Sequence, residues 1–139
     1  MAVNKAHDEF HAIDLSDGDW TVREGFPEGW NLPDGYEPDA LAAEKILSGA
    51  LDEVNKRGSR TRLLRMEPGF ISTTPFVHEY WEEVYLLSGE MNVGHDGTGI
   101  GGETFSGPTY ACRPPGAFHG PFKTEKGALM LEIHYYDPA

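Results

Sequence analysis

Residues 75–89, PFVHEYWEEVYLLSG, combine the residue types that bind metal ions with an alternating pattern. Alternate residues of an extended strand share a face, so the side chains of His78 and Glu82 point the same way. The other residues on that face are Phe76, Tyr80, Val84 and Leu86. A carboxylate in apolar surroundings must be paired, protonated or bound to a metal. A metal ion would satisfy both polar groups at once.

A second segment, YACRPPGAFHGPF at residues 110–122, places His119 just after a Pro-Pro-Gly turn. Such a turn can aim the imidazole into the mouth of a barrel. Two imidazoles and one carboxylate form a facial set that leaves coordination positions open, as in non-haem iron sites. Open positions indicate a catalytic site rather than a purely structural one. The alternative is a buried ion pair between His78 and Glu82, with His119 as an ordinary turn residue.

Short strands with turns between them must position these groups. Strand-like segments from residue 60 onward are RTRLLRMEPG, a strand, turn and strand in VYLLSGEMNVG, TYACRPPG, and ALMLEIHYY. The 17 glycines and 10 prolines serve as turn punctuation, so the pattern predicts an all-β sandwich or barrel. Residues 39–54 partly fit helical spacing, but Gly49 would cost about 1 kcal/mol inside a helix. We expect a short helical turn there, followed by a strand at Glu44 to Leu47.

Residues 1 to about 38 form a polar, turn-rich arm with large rings spaced through it. The rings belong to Phe10, Trp20, Phe26, Trp30 and Tyr36. Burial of apolar surface is worth roughly 25 cal/mol per Å², and disordered tails rarely carry so many rings. We expect the arm to pack on the barrel or on a second subunit, in a structural role.

Charge and composition narrow the possible partners. The net charge is −12, from 23 acidic and 11 basic side chains, which disfavours nucleic acid and membrane partners. No signal segment or apolar run near 18 residues is visible, and the single Cys112 cannot form an internal disulfide. The sequence therefore predicts one cytoplasmic domain over residues 1–139.

The two segments together resemble the cupin superfamily, of the RmlC-like type. The matching residues are His78, Glu82 and Gly89 in the first cupin motif and Pro114, Gly116 and His119 in the second. The resemblance covers about residues 60–137. It implies a single cupin double-stranded β-helix, a jelly-roll-like barrel, whose core is 60–137 and whose arm and first strands are 1–59. It also implies a metal site built on His78, Glu82 and His119.

One position departs from the family pattern. Phe76 stands where the first motif has its first histidine, so the motifs supply three ligands. A fourth is either absent or supplied by His134 or His95. If the even-numbered face of its strand is turned inward, His134 enters the cavity with Glu132, as a general acid/base or as a ligand. Its ordinary pKa near 6.5 suits proton transfer. His95 lies in a Gly- and Asp-rich turn, where we expect a solvated residue.

The runs EEVYLLSGEM and RPPGAFHGPF resemble a branch of small cupins. That branch includes dioxygenases of dihydroxyacetophenones and related dicarbonyl compounds, and the cupin domains of anti-sigma factors. The resemblance implies a metal-dependent dioxygenase cleaving a dicarbonyl or hydroxylated aromatic ketone, with iron favoured and zinc, manganese or nickel as alternatives. A lyase or isomerase acting through an enolate, with His134 or Tyr80 moving the proton, is the second hypothesis. A non-catalytic metal- or ligand-binding module is the third, and a homodimer is expected.

Overall fold

A computed structural model describes residues 4–15, 18–20 and 25–137. Its strands are β1 (Ala42–Asp52), β2 (Arg57–Met66), β3 (Trp81–Val93), β4 (Glu103–Ser106), β5 (Thr109–Arg113), β6 (Phe122–Lys123) and β7 (Ala128–Tyr135). The described residues contain no helix, so the predicted all-β class is confirmed. Among the same residues, no helix has the length and apolarity needed to cross a membrane.

All the strand pairs are antiparallel, and β3 is the strand that joins them. The order β1, β2, β7, β3 makes one wall, with β5 pairing the first half of β3. The last residues of β3 pair instead with β4 and β6. A bulge between Leu86 and Ser88 separates the two halves. One long strand thus contributes to two sides of the barrel.

The predicted strand, turn and strand over VYLLSGEMNVG is wrong, because β3 runs through it without a turn. The strand changes direction at the bulge and at Gly89, whose φ of 82° is readily adopted only without a side chain. A Cβ at Gly89 would also collide with the Gly127 carbonyl, which accepts a hydrogen bond from Glu90 N at 3.0 Å. The glycine that suggested a turn marks a bend within a continuous strand.

The predicted helical turn before Glu44 is wrong as well, because β1 is extended over its whole length. Its residues pair with β2 in antiparallel register. Gly49, with φ 78°, lies so close to Ser59 that a Cβ would strike the Ser59 carbonyl. Pairing along an entire neighbouring strand outweighs a partial helical spacing, since intrinsic propensity is only a weak prior.

Inside the barrel, four strands present their side chains in aligned rows. The first, which we name the polar row, is Arg60 (β2), His134 (β7), Glu82 (β3) and Arg113 (β5). The mixed row is Arg62, Glu132, Val84 and Ala111. The apolar row is Leu64, Met130, Leu86 and Thr109. Even-numbered residues of β7 therefore face inward, so His134 and Glu132 both lie on the inner face of the strand.

The arm packs on the outer face of the same wall. Trp20 and Trp30 meet edge to face, 4.7 Å between ring centroids, in a buried cluster with Ala43 and Leu63. The Arg65 guanidinium lies 3.9 Å from the centroid of the Trp20 ring, within cation–π distance. The arm therefore covers its own barrel, as one of the two alternatives predicted, although Phe10 is fully exposed.

Candidate metal centre

His78, Glu82 and His119 converge on one point inside the barrel. Glu82 Oε2 lies 3.7 Å from His78 Nε2, and Glu82 Oε1 lies 3.6 Å from His119 Nε2. The three side chains each offer a ligand atom within 4.8 Å of the other two. Two ligands of one ion at about 2.1 Å can be at most about 4.2 Å apart, so both carboxylate–imidazole distances fit a shared metal ion.

The backbone fixes the directions of the two imidazoles. The sequence predicts one extended strand through His78 and Glu82, but β3 begins at Trp81, and a bend at residues 79–80 separates it from His78. His78 still points toward Glu82, the second residue of β3. His119 lies between β5 and β6, and its backbone pairs with Phe76 through hydrogen bonds of 2.7 and 2.9 Å. His119 Nδ1 donates to the Ala117 carbonyl at 3.1 Å, which leaves the Nε2 lone pair free for a ligand.

The protonation states also suit a metal ion. Burial lowers the pKa of His78 to about 4, and His119 and His134 add to this effect. Burial likewise lowers the pKa of His119. Burial and Glu132 raise the pKa of the Glu82 carboxyl, but the hydrogen bond from His134 and the nearby imidazoles hold it below its ordinary value. At neutral pH the site offers two neutral imidazoles and a carboxylate, the forms that bind metals.

The other members of the polar row hold the Glu82 carboxylate. Arg113 Nη1 donates to Glu82 Oε1 at 2.8 Å, and His134 Nε2 lies 2.9 Å from Glu82 Oε2. Arg60 donates to His134 Nδ1 from Nε at 3.1 Å and from Nη2 at 2.7 Å. Because a guanidinium only donates, His134 Nδ1 must accept, and its proton lies on Nε2 toward Glu82. Each carboxylate oxygen keeps a second lone pair for a metal ion.

His134 is completely buried between Arg60 and Glu82 and does not line the cavity. The roles expected for His134 from the sequence, as a general acid/base or as a metal ligand, stay predictions. Its contacts favour a third role, in which it positions the ligand carboxylate and fixes the charge beside the metal.

Glu82, Glu132 and His134 form a second grouping of possible ligands. Arg62 donates to Glu132 Oε1 at 2.8 Å from Nε and lies 2.7 Å from it through Nη2, while Arg62 Nη1 donates to Glu44 at 2.8 Å. Burial raises the pKa of Glu132, but Arg62 holds it well below its ordinary value. This grouping is a buried charge network, since its oxygens already have strong partners.

A cavity of about 630 Å³ lies beside the centre. The residues that line it include the three proposed ligands, His78, Glu82 and His119, together with Tyr80 and Arg113. The Tyr80 ring stacks on His78 at 4.6 Å and is 7% exposed. Burial raises the pKa of Tyr80 to about 12, so its hydroxyl keeps the proton at neutral pH.

Phe76 forms part of the cavity wall and stands where the family pattern has its first histidine. Its ring stacks between Tyr36, at 5.5 Å, and Phe122, at 5.9 Å. Tyr36 belongs to the arm, so the arm reaches the cavity even though the sequence indicated only a structural role. The ring spacing of the arm signalled burial, but nothing in it told which surface each ring would cover.

His95 is neither solvated nor close enough to serve as a fourth ligand. It is 3% exposed, and its Nδ1 accepts hydrogen bonds from the backbone N–H groups of Gly97 and Gly99 at 3.0 and 3.2 Å. Its Nε2 lies 3.3 Å from the Phe122 carbonyl. The expectation of a solvated loop residue is wrong, because the imidazole organises its own turn from the inside.

No protein-family model and no curated protein matches the sequence. Solved structures do match. An acetylacetone dioxygenase from Acinetobacter johnsonii superposes with a TM-score of 0.57 and 20% identity, over 99% of this chain and 80% of that chain. An RmlC-like cupin from Shewanella frigidimarina NCIMB 400 superposes with a TM-score of 0.55 and 16% identity, over 81% of this chain and 89% of that chain. KdgF from Halomonas sp. superposes with a TM-score of 0.53 and 18% identity, over 78% of this chain and 88% of that chain. At these identities the likeness is one of fold.

Proposed function

Because the chain has the cupin fold, we propose that it is a metal-dependent enzyme acting on a small oxygenated molecule. His78, Glu82 and His119 are its proposed metal ligands. The observation that carries the proposal is the position of this three-ligand cluster in the wall of a 630 Å³ cavity. A structural metal site has a closed ligand set and needs no adjoining space, whereas a catalytic site keeps positions open for substrate.

The favoured reaction is the oxygen-dependent cleavage of a carbon–carbon bond in a 1,3-dicarbonyl compound or a hydroxylated aromatic ketone. Two imidazoles and one carboxylate are a donor set suited to iron, which is the favoured metal. When bound, the metal ion would supply Lewis acidity and, as iron, one-electron chemistry with dioxygen. The fold likeness to an acetylacetone dioxygenase is compatible with this choice but does not carry it.

The residues around the ligands have separable tasks in this proposal. The guanidinium of Arg113 donates to Glu82 and also lines the cavity, so its remaining N–H groups can bind a substrate carbonyl oxygen. Tyr80 keeps its proton at neutral pH and can donate it to a developing enolate oxygen. His134 holds the Glu82 carboxylate by the hydrogen bond at 2.9 Å.

A lyase or isomerase acting through an enolate is the second candidate. The position of Tyr80 favours it, because its ring stacks on His78 at 4.6 Å in the cavity wall and an enolate needs a nearby proton donor. Oxygen consumption separates the two. Turnover of 2,4-pentanedione that is equally fast with and without dioxygen would exclude the dioxygenase and leave the lyase.

The metal content of the purified protein tests whether the proposed ligands bind a metal ion. The purified protein, loaded with iron(II) or zinc, should retain about one equivalent by elemental analysis, as expected for a single three-ligand site. The His119→Ala variant should lose it. His11→Ala is the matched control, because His11 is an exposed arm residue paired with Asp8. Failure of the folded unmodified protein to retain any divalent metal would overturn the metalloenzyme and would also remove the metal-binding module as an alternative.

A homodimer is also proposed. The arm cannot supply its aromatic contacts through Trp20 and Trp30, which are buried on their own barrel. Exposed apolar side chains lie instead on the outer face of β3 and β5: Tyr85 (41% exposed), Leu87 (40%) and Tyr110 (57%). Sedimentation should show a dimer that Tyr110→Lys weakens, and a monomer at all concentrations would contradict it. The cytoplasmic location expected from the sequence stays a prediction.

A further inference from the structure

We infer, resting on the proposed function, that the substrate of this centre carries an uncharged apolar body, a chain or ring, beyond its chelating oxygens. That body lies in what we name the apolar chamber, the part of the cavity lined by Leu64, Met66, Leu86, Met91, Phe105 and Met130. The centre by itself needs only two oxygens from a substrate, whereas the chamber adds a requirement for size and polarity.

The chamber continues from the metal centre along the same strands. Leu86 follows Glu82 by four residues on β3, and Leu64 follows Arg60 by four residues on β2. At about 3.3 Å per residue, the apolar row lies about 13 Å from the polar row. A ligand held at Glu82 therefore reaches the chamber only through a body of several carbon atoms.

One side of the cavity between the metal centre and the chamber is lined by apolar rings. Phe76 stacks on Phe122 at 5.9 Å, and both rings line the cavity. Phe76 occupies the place where a histidine would have made this wall polar. The mixed row lies between the other two rows, and its one cation, Arg62, is paired with two carboxylates, Glu132 of the same row and Glu44 of β1. No free charge of that network is left to bind an anionic tail.

The size of the cavity points the same way. A cavity of about 630 Å³ falls within the range of about 300–1,000 Å³ that is typical of small-molecule sites. A diketone with two methyl ends would occupy the space beside the ligands and leave the chamber unfilled. Burying hydrocarbon against the apolar walls is favourable by about 0.8 kcal/mol for each methylene, a factor of about four in affinity.

A homologous series of diketones tests the inference. Zinc-loaded protein is titrated by calorimetry with 2,4-pentanedione, 2,4-heptanedione and 2,4-nonanedione, so that the readout is binding and not turnover. The dissociation constant should fall as the chain lengthens, by up to about fourfold for each methylene that becomes buried. Equal affinities along the series, each dependent on zinc, would overturn the apolar body while the proposed metal centre stood.

Two variants show where the chain lies. Leu86→Phe fills part of the chamber and should abolish the gain for 2,4-nonanedione while leaving 2,4-pentanedione nearly unchanged. Ile46→Phe is the matched control, because Ile46 is a β1 residue that is 41% exposed and does not line the cavity. If Leu86→Phe, shown to be folded, bound the whole series as the unmodified protein does, the chamber would be the wrong place and the inference would fall.

Metal-stripped protein separates the two proposals. Here 2-pentanone and 2-nonanone, which lack the second oxygen, report on the chamber alone. A chain-length gain for these ketones, together with diketone affinities that are the same with and without zinc, would overturn the proposed function and support the apolar body. Absence of any chain-length gain in both forms would overturn the inference.

Discussion

Replacing His134 by leucine removes the hydrogen bond that Nε2 makes with Glu82 Oε2 at 2.9 Å. It also leaves the Arg60 guanidinium without its acceptor, Nδ1, at 2.7 and 3.1 Å. The leucine is close in size, so the barrel is not emptied. The main loss is the restraint on the carboxylate that serves as a proposed metal ligand.

The magnitude follows from that restraint. Loss of an outer partner of a metal ligand typically costs about 10–100-fold in metal affinity, or about 1.4–2.7 kcal/mol. A hydrogen bond to a charged group contributes about 1.5–3 kcal/mol to folding, so the variant should also unfold at lower temperature. We expect zinc affinity to fall within that range while Arg113 still holds Glu82 Oε1.

The assay is competition for zinc between the protein and a coloured chelator, with circular dichroism to confirm folding. Tyr135→Phe is the matched control, because Tyr135 is the next residue of β7 and its hydroxyl donates outward to Glu83 at 3.0 Å. His134→Gln should restore affinity, since an amide can donate toward Glu82 and accept from Arg60.

The same variants separate the possible roles of His134. Glutamine cannot exchange a proton, so a His134→Gln protein that binds metal normally but has lost turnover would support the acid/base role suggested by the sequence. Unchanged zinc affinity in a folded His134→Leu protein would refute the positioning role outright.

Three further predictions concern the same interior. Phe76→His adds a fourth ligand beside His119, and zinc affinity should rise by about a hundredfold, since four-ligand sites bind with about 3 kcal/mol per ligand; an unchanged affinity in the chelator competition would show that residue 76 cannot reach the ion. Arg62→Met leaves the buried Glu132 and the partly buried Glu44 without their partner, so urea titration should show about 3–5 kcal/mol lost from the free energy of unfolding; a loss below about 1 kcal/mol would contradict this account of the network. Although burial raises the pKa of Glu132, Arg62 holds it well below the ordinary 4.5, so this carboxylate stabilises the fold above about pH 4.5 and the stability is lost as the pH falls further; Glu132→Gln should flatten that decline, and an identical pH profile would count against it.

The convergence of His78, Glu82 and His119 could be predicted only in part. Strand alternation predicted one shared face for His78 and Glu82, but β3 begins at Trp81 and residues 79–80 form a bend, so the path of that bend also sets the direction of His78. Motif spacing adds His119. These expectations depend on neighbouring residues and on a resemblance that covers them. In the structure, the three side chains offer ligand atoms that lie within 4.8 Å of one another.

The residues that contact the proposed ligands and the cavity wall were not predictable, because these contacts depend on how distant segments of the chain pair. Arg60 meets His134 only through the pairing of β2 with β7, and Tyr36 reaches Phe76 only through the path of the arm. Local patterns misled where tertiary pairing prevailed. Gly49 and Gly89 suggested interruptions, yet each lies inside a continuous strand.

The participation of β3 in both sides of the barrel has a consequence for when the metal centre can form. Glu82 lies on the half of β3 that pairs with β5 and β7, while His119 lies in the loop that enters β6, a partner of the other half. A partly folded chain has not yet brought these segments together. If the proposed ligands hold a metal ion, complete binding requires that these segments have met, and a bound ion would stabilise the native state by RT ln(1 + [metal]/Kd). Metal supply would then govern how long the chain survives proteolysis, in addition to whether the centre is loaded.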